Sequence, residues 1–123
     1  MRAALEGVAF ALRDGLDALE DVHGHVDTLR LAGGGTAQPQ WRQLLADALG
    51  RPLIPVDVPD ASVRGAALLA AWGVGTTVTV EVGGAPSVEP GPARAEVQGR
   101  YERWRELGRA LRPWWTAGAA TPP

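Results

Sequence analysis

Three consecutive glycines carry the most pointed chemical signal in this chain. The run Leu29-Arg30-Leu31-Ala32-Gly33-Gly34-Gly35-Thr36 puts them after a β-type segment. Ahead of them lies Pro39–Leu49, where Trp41, Leu44, Leu45 and Ala48 recur at helical spacing. Glycines between a strand and a helix leave the backbone bare, so a ligand can approach it closely. A helix N-terminus nearby offers unpaired N–H groups and partial positive charge that suit a phosphate. The pattern is not a P-loop, because no Gly-Lys-Ser/Thr follows. Nor is it the dinucleotide Gly-x-Gly-x-x-Gly, because Gln38 stands three places after Gly35. A tight turn needing positive φ would use the same residues, and the motif by itself leaves both readings open.

Other chemistry-bearing groups read as structural. His23 and His25 flank Gly24, and the only carboxylates beside them are Asp21 and Asp27, so a solvated turn fits better than a metal site. With both histidines so close together, no Ser-His-Asp set can be assembled. Asp14, Asp17 and Asp21 are spaced as a solvated helix face. Trp104, Trp114 and Trp115 lie among Arg100, Arg103, Arg105, Arg109 and Arg112. The interleaved Glu102 and Glu106 make that stretch a salt-bridged helix rather than a nucleic-acid surface.

These residues must be positioned by an alternating set of elements. Residues 3–19 read as an amphipathic helix with Leu5, Val8, Leu12, Leu16 and Leu19 on its buried side. Gly7 and Gly15 within it suggest close packing. A polar turn through Asp21, His23, Gly24 and His25 leads to a strand over 26–32. After the helix that follows the glycines, Gly50 is the expected C-cap. Residues 53–58 form a second strand, placed near a sheet edge because Pro55 cannot donate to a ladder. Asp60 or Ser62 then caps a third helix over 63–72, whose small residues Gly65, Ala66, Ala67, Ala70 and Ala71 would let it lie close against the sheet. Residues 76–92 read mostly as loop, with a short alternating strand over 77–82. A last helix spans 93–112, with Val97, Tyr101, Trp104, Leu107 and Leu111 on its apolar face, and residues 113–123 form a flexible tail.

Composition sets the outer bounds. The chain has 123 residues, 46% of them hydrophobic and 21% charged, which suits one globular unit rather than a disordered segment. There are no cysteines, hence no disulfides, thiolate metal sites or cysteine nucleophiles. A net charge of -2 disfavours nucleic-acid binding by bulk positive charge. No apolar run reaches the ~18 residues of a membrane span, so the expectation is a cytoplasmic protein with no membrane partner.

Taken together, several segments resemble the C-terminal part of an FGGY-family carbohydrate kinase, nearest its xylulokinase subgroup. They are Arg2-Ala3-Ala4-Leu5-Glu6-Gly7-Val8-Ala9-Phe10-Ala11-Leu12-Arg13-Asp14, Leu29 to Gly35, Trp41-Arg42-Gln43-Leu44-Leu45-Ala46-Asp47, and Gly65-Ala66-Ala67-Leu68-Leu69-Ala70-Ala71. The likeness runs on through Pro90-Gly91-Pro92 and the Tyr101 helix, so it covers nearly the whole chain with its motifs in order.

The resemblance implies an α/β fold. It would be part of a ribonuclease-H-like, actin-like ATPase domain: strand-helix-strand-helix, preceded by a helix and followed by a C-terminal one. Residues 1–75 would be the end of the kinase's C-terminal domain. It also implies ATP as co-substrate, Mg2+ held elsewhere in the enzyme, and transfer of the γ-phosphoryl group to a sugar hydroxyl, with xylulose the indicated sugar. Gly33, Gly34 and Gly35 would meet the adenosine and α-phosphate end of the nucleotide, with Thr36 and Gln38 as polar neighbours. The chain carries Ala37 and Gln38 where many members have a basic residue followed by Ser or Asn.

Such kinases are several times longer than this chain. The N-terminal phosphate loop, most of the sugar pocket and the general base fall outside it, so the segment alone is expected to be inactive, with no catalytic residue of its own. Incompletely covered helices would favour self-association. The alternative is a non-catalytic α/β binding or interaction module derived from the kinase scaffold.

Overall fold

The structure, a computed structural model, describes residues 2–58 and 60–118. Its elements follow the expected order: α1 (Arg2–His23), β1 (Leu29–Leu31), a 3-10 turn (Gly34–Ala37), α2 (Pro39–Leu49), β2 (Leu53–Asp57), α3 (Ala61–Gly73), β3 (Gly83–Gly84) and α4 (Arg94–Gly118).

Helix α1 runs a turn further than its apolar spacing suggests, so His23 is helical and the turn begins at Gly24. Gly24 adopts φ 85 and its N–H donates to the Glu20 carbonyl at 2.8 Å, ending the helix. The strand expected over 26–32 contracts to three residues. Val26 spends its backbone groups on side chains instead: its N–H donates to the Glu20 carboxylate at 2.9 Å, and its carbonyl accepts from Arg51 Nε at 3.0 Å. Gly50 caps α2 in the left-handed region (φ 65), as its position after Leu49 implies.

Strand β2 is central rather than at an edge. It pairs in parallel with β1 (Leu29 with Leu53, Leu31 with Pro55) and antiparallel with β3 (Val56 with Gly84, Asp57 with Gly83). Pro55 is tolerated because both ladders are short, and its carbonyl still accepts from Ala85 N–H at 2.9 Å. The strand expected over 77–82 is absent. Pairing falls instead on Gly83–Gly84 and on a bridge between Leu53 and Val88, where the chain reaches β2.

The core lies between α1, α2, β2 and α4. Ala9, Phe10, Leu16, Leu45, Ala46, Ala48, Leu49, Leu53, Val97 and Tyr101 are all buried. Phe10, Tyr101 and Trp104 form an aromatic cluster, with Tyr101 and Trp104 stacked at 6.1 Å.

Of the expected leucine stripe on α1 only Leu16 is buried. Leu5, Val8, Leu12 and Leu19 are each between 42% and 53% exposed, whereas Glu6, Ala9, Phe10 and Leu16 turn inward. Polar partners on α4 decide this orientation: Arg100 pairs with Glu6 at 3.1 Å, and Tyr101 donates to Asp17 at 2.8 Å. Asp14 and Asp17 therefore join α1 to α4 rather than forming a solvated face, and Arg105 Nε lies 3.4 Å from Asp14. Open space surrounds Gly7 and Gly15, so neither marks a close approach.

Helix α3 starts at Ala61 with Asp60 at the N-cap position, but no side-chain cap bond forms there. None of its residues is fully buried. Of its small residues, Ala66, Ala67 and Ala70 face outward, while Gly65 and Ala71 are half-buried together with Ala61 and Leu68. On α4, Leu107 is exposed beyond the aromatic cluster, and the helix continues through Pro113 to Gly118 where a tail was expected. The remaining tail positions, 119–123, lie outside the described residues.

Candidate nucleotide site

The glycine turn sits at the carboxyl ends of the two parallel strands, the side on which open α/β sheets bind ligands. Gly33 follows β1 with φ 106 and ψ 159, a conformation essentially confined to glycine. Its carbonyl accepts from Thr36 N–H at 3.1 Å and from the Thr36 hydroxyl at 2.6 Å, closing the turn. Arg42, one turn into α2, donates through Nε to the Thr36 carbonyl and holds the turn from the helix side.

Gly34 and Gly35 are different. Neither has positive φ, and a Cβ placed on either would meet no atom within 4 Å. The fold therefore requires glycine at Gly33 alone, while the next two positions leave bare backbone facing open space.

Helix α2 does not follow the glycines directly. The 3-10 turn intervenes, and Gln38 occupies the N-cap position in extended conformation without a side-chain cap bond. The Gln38 carbonyl accepts from Trp41 and Arg42 N–H at 3.1 Å each.

An open cavity of about 1070 Å³ lies over the turn. Gly33, Gly34 and Thr36 line it; Gly35 and Gln38 do not. Its opposite wall comes from the end of β2 and the start of α3, bringing in Asp57, Asp60 and Ser62, with Arg42 beside the turn. Sequence reasoning missed these four as site residues. Asp57 had a usable signal, since it ends the strand next to the one that feeds the glycines.

No group of three or more His, Cys, Asp or Glu among the described residues could hold a metal ion. His25 instead sits in a polar knot, its Nδ1 3.4 Å from Glu20 and 3.1 Å from Arg51. The Val26 N–H, together with Arg51 and His25, holds the Glu20 carboxyl below its ordinary range. Among the described residues no helix is long and apolar enough to cross a membrane.

A short mixed sheet with helices around it, and a bare glycine turn at the carboxyl ends of its parallel pair, defines an α/β protein. Residues 1–74 match the sequence pattern described as "FGGY family of carbohydrate kinases, C-terminal domain". The chain belongs to this family. It is 35% identical over 114 residues to the "Probable L-xylulose kinase" of Pasteurella multocida, covering 91% of this chain and 24% of that protein. It is 33% identical over 120 residues to the "Glycerol kinase" of Pseudomonas fluorescens, covering 93% of this chain and 24% of that protein.

Among solved structures, the xylulose kinase from Rhodospirillum rubrum superposes with a TM-score of 0.71 at 32% identity, over 94% of this chain and 25% of its own. The corresponding kinase from Brucella ovis gives a TM-score of 0.69 at 31% identity, over 91% of this chain and 24% of its own. The chain thus spans about a quarter of the length of the relatives it matches.

Proposed function

We propose that this chain supplies the nucleotide side of an ATP-dependent sugar kinase, in a ribonuclease-H-like, actin-like domain. Backbone at Gly33, Gly34 and Gly35 would receive the adenosine and α-phosphate end of ATP, with Thr36 and Gln38 beside it. ATP would supply the γ-phosphoryl group for a sugar hydroxyl, and the similarity to xylulose kinases favours a ketopentose such as xylulose. Mg2+ would arrive with the nucleotide and be held by the rest of the enzyme, since the cavity wall offers only Asp57 and Asp60 as carboxylates. ATP use would favour the cytoplasm as the place of work.

One observation carries this reading: Gly34 and Gly35 are glycines that the fold does not need. A turn that was only structural would require Gly33 and leave its neighbours free to bear side chains. No general base or phosphate loop is assigned within the segment, so phosphoryl transfer would depend on the remainder of a kinase chain.

The test is calorimetric titration of the folded chain with Mg-ATP, repeated on Gly34→Leu. The expected result is a binding signal from the natural chain. It should be lost in Gly34→Leu while the urea midpoint is unchanged, because a Cβ there meets nothing within the fold. Absence of binding by the folded natural chain, or full binding by Gly34→Leu, overturns the proposal.

A further inference from the structure

We propose that Asp57 recognises ribose: its carboxylate accepts hydrogen bonds from the sugar hydroxyls of a nucleotide lying over the glycine turn. This rests on the nucleotide reading above and extends it to residues on the opposite wall of the cavity.

The argument begins with register. Leu31 pairs with Pro55 in the parallel ladder, so Gly33 and Asp57 each lie two residues beyond the same rung. Adjacent strands lie about 4.8 Å apart at that rung, so the two segments leave the sheet as neighbours before they form the facing walls of the cavity. Both residues line the same cavity.

No described residue uses the Asp57 side chain. It is exposed, and among the described residues its carboxylate has neither an ion-pair nor a hydrogen-bond partner. An ionised carboxylate only accepts hydrogen bonds, so it repels phosphate and selects donors. A vicinal diol presents two hydroxyl donors, and dinucleotide folds use an acid at the end of the second strand in the same way.

The charge layout of the cavity also gives the ligand a direction. Arg42 is the one cation among the lining residues and lies on the glycine side, where a phosphate belongs. Asp57 and Asp60 lie opposite, and the Asp60 carboxylate is not spent on capping its own helix. Phosphate toward the glycines and ribose toward β2 is the arrangement that leaves neither wall facing a like charge.

The experiment compares ATP, 2′-deoxy-ATP, 3′-deoxy-ATP and inorganic tripolyphosphate by calorimetry on the natural chain and on Asp57→Ala, with circular dichroism confirming that both are folded. The natural chain should bind ATP about tenfold more tightly than at least one deoxy nucleotide, the scale of one hydrogen bond to a charged group. Asp57→Ala should bind ATP and that analogue alike, with its affinity for tripolyphosphate not weakened. Equal binding of ATP and both deoxy nucleotides by the natural chain overturns the inference and leaves the nucleotide reading standing. So does discrimination retained in Asp57→Ala. A folded natural chain that binds none of the four ligands overturns the nucleotide reading and this inference with it.

Discussion

The phenol of Tyr101 donates to the Asp17 carboxylate at 2.8 Å, tying α4 to α1 across 84 positions of sequence. Asp17 also accepts from Arg13 Nε at 2.6 Å, and the Arg13 and Arg105 guanidinium groups each lie 5.7 Å from the Tyr101 ring centre. The contact is the centre of the seam between the two helices.

Replacing Tyr101 by Phe keeps the aromatic cluster and leaves Asp17 paired with Arg13. The expected loss is therefore small, about 1–2 kcal/mol in urea unfolding. Tyr101→Ala also removes the buried ring and should cost about 3–5 kcal/mol. Equal losses for the two substitutions would show that packing in the cluster contributes nothing.

Burial, followed by the bond to Asp17, pushes the Tyr101 phenol well above its ordinary value. A raised value on an acid whose charged form is disfavoured gives stability that is complete below pH ~10 and lost as pH rises toward the folded-state value. Tyr101 is the only tyrosine in the chain, so phenolate absorbance near 295 nm reports this one group. It should appear only together with loss of structure in alkali. A reversible titration near pH 10 in the folded chain would contradict the buried placement.

Glu20 supplies the opposite pH dependence. Its carboxyl is held below the ordinary value of 4.5, first by the Val26 N–H and then by Arg51 and His25. A depressed acid stabilises the fold above its unfolded-state value, and that contribution disappears as pH falls through the folded-state value. The urea midpoint should therefore drop on acidification below about pH 4.5, and Glu20→Gln should flatten that part of the curve. An identical acid limb in both proteins would remove Glu20 from the account.

Asp47 is buried at the foot of α2, where its Oδ1 accepts from Gly91 N–H at 2.6 Å and from Gln43 Nε2 at 3.1 Å. This pins the Pro90-Gly91-Pro92 turn against the helix just before α4 begins. Asp47→Ala strands the Gly91 donor and should cost about 1–3 kcal/mol. Faster proteolysis within 85–93 would be the local signature, and unchanged cleavage would argue against the pin.

The leucine stripe of α1 predicts association. Leu5, Val8, Leu12 and Leu19 stay about half exposed in a chain that spans about a quarter of its relatives' length. Sedimentation velocity should show concentration-dependent self-association of the isolated chain, reduced by Leu12→Glu with little change in unfolding midpoint. A monomer at high concentration would mean that the stripe is tolerated by solvent.

Local chemistry was legible wherever a residue's own backbone preference decides the outcome. Gly50 ends α2, Pro39 opens it, and the order of strand, glycines and helix follows from turn and cap rules that need no distant partner. Gly33 belongs in the same class, because its φ of 106 suits glycine and little else.

What the tertiary structure alone decided is which side of each helix faces inward, and what stands across the cavity from the glycines. Helix α1 carries two stripes at helical spacing, and the more apolar one lost. The other stripe finds an arginine, a tyrosine and an aromatic cluster on α4, partners that no local pattern can announce. Pro55 in a central strand, and Asp57 level with Gly33, likewise depend on how separate segments register. Periodicity fixes which side chains share a face, whereas the direction of that face depends on groups brought together only when the chain folds.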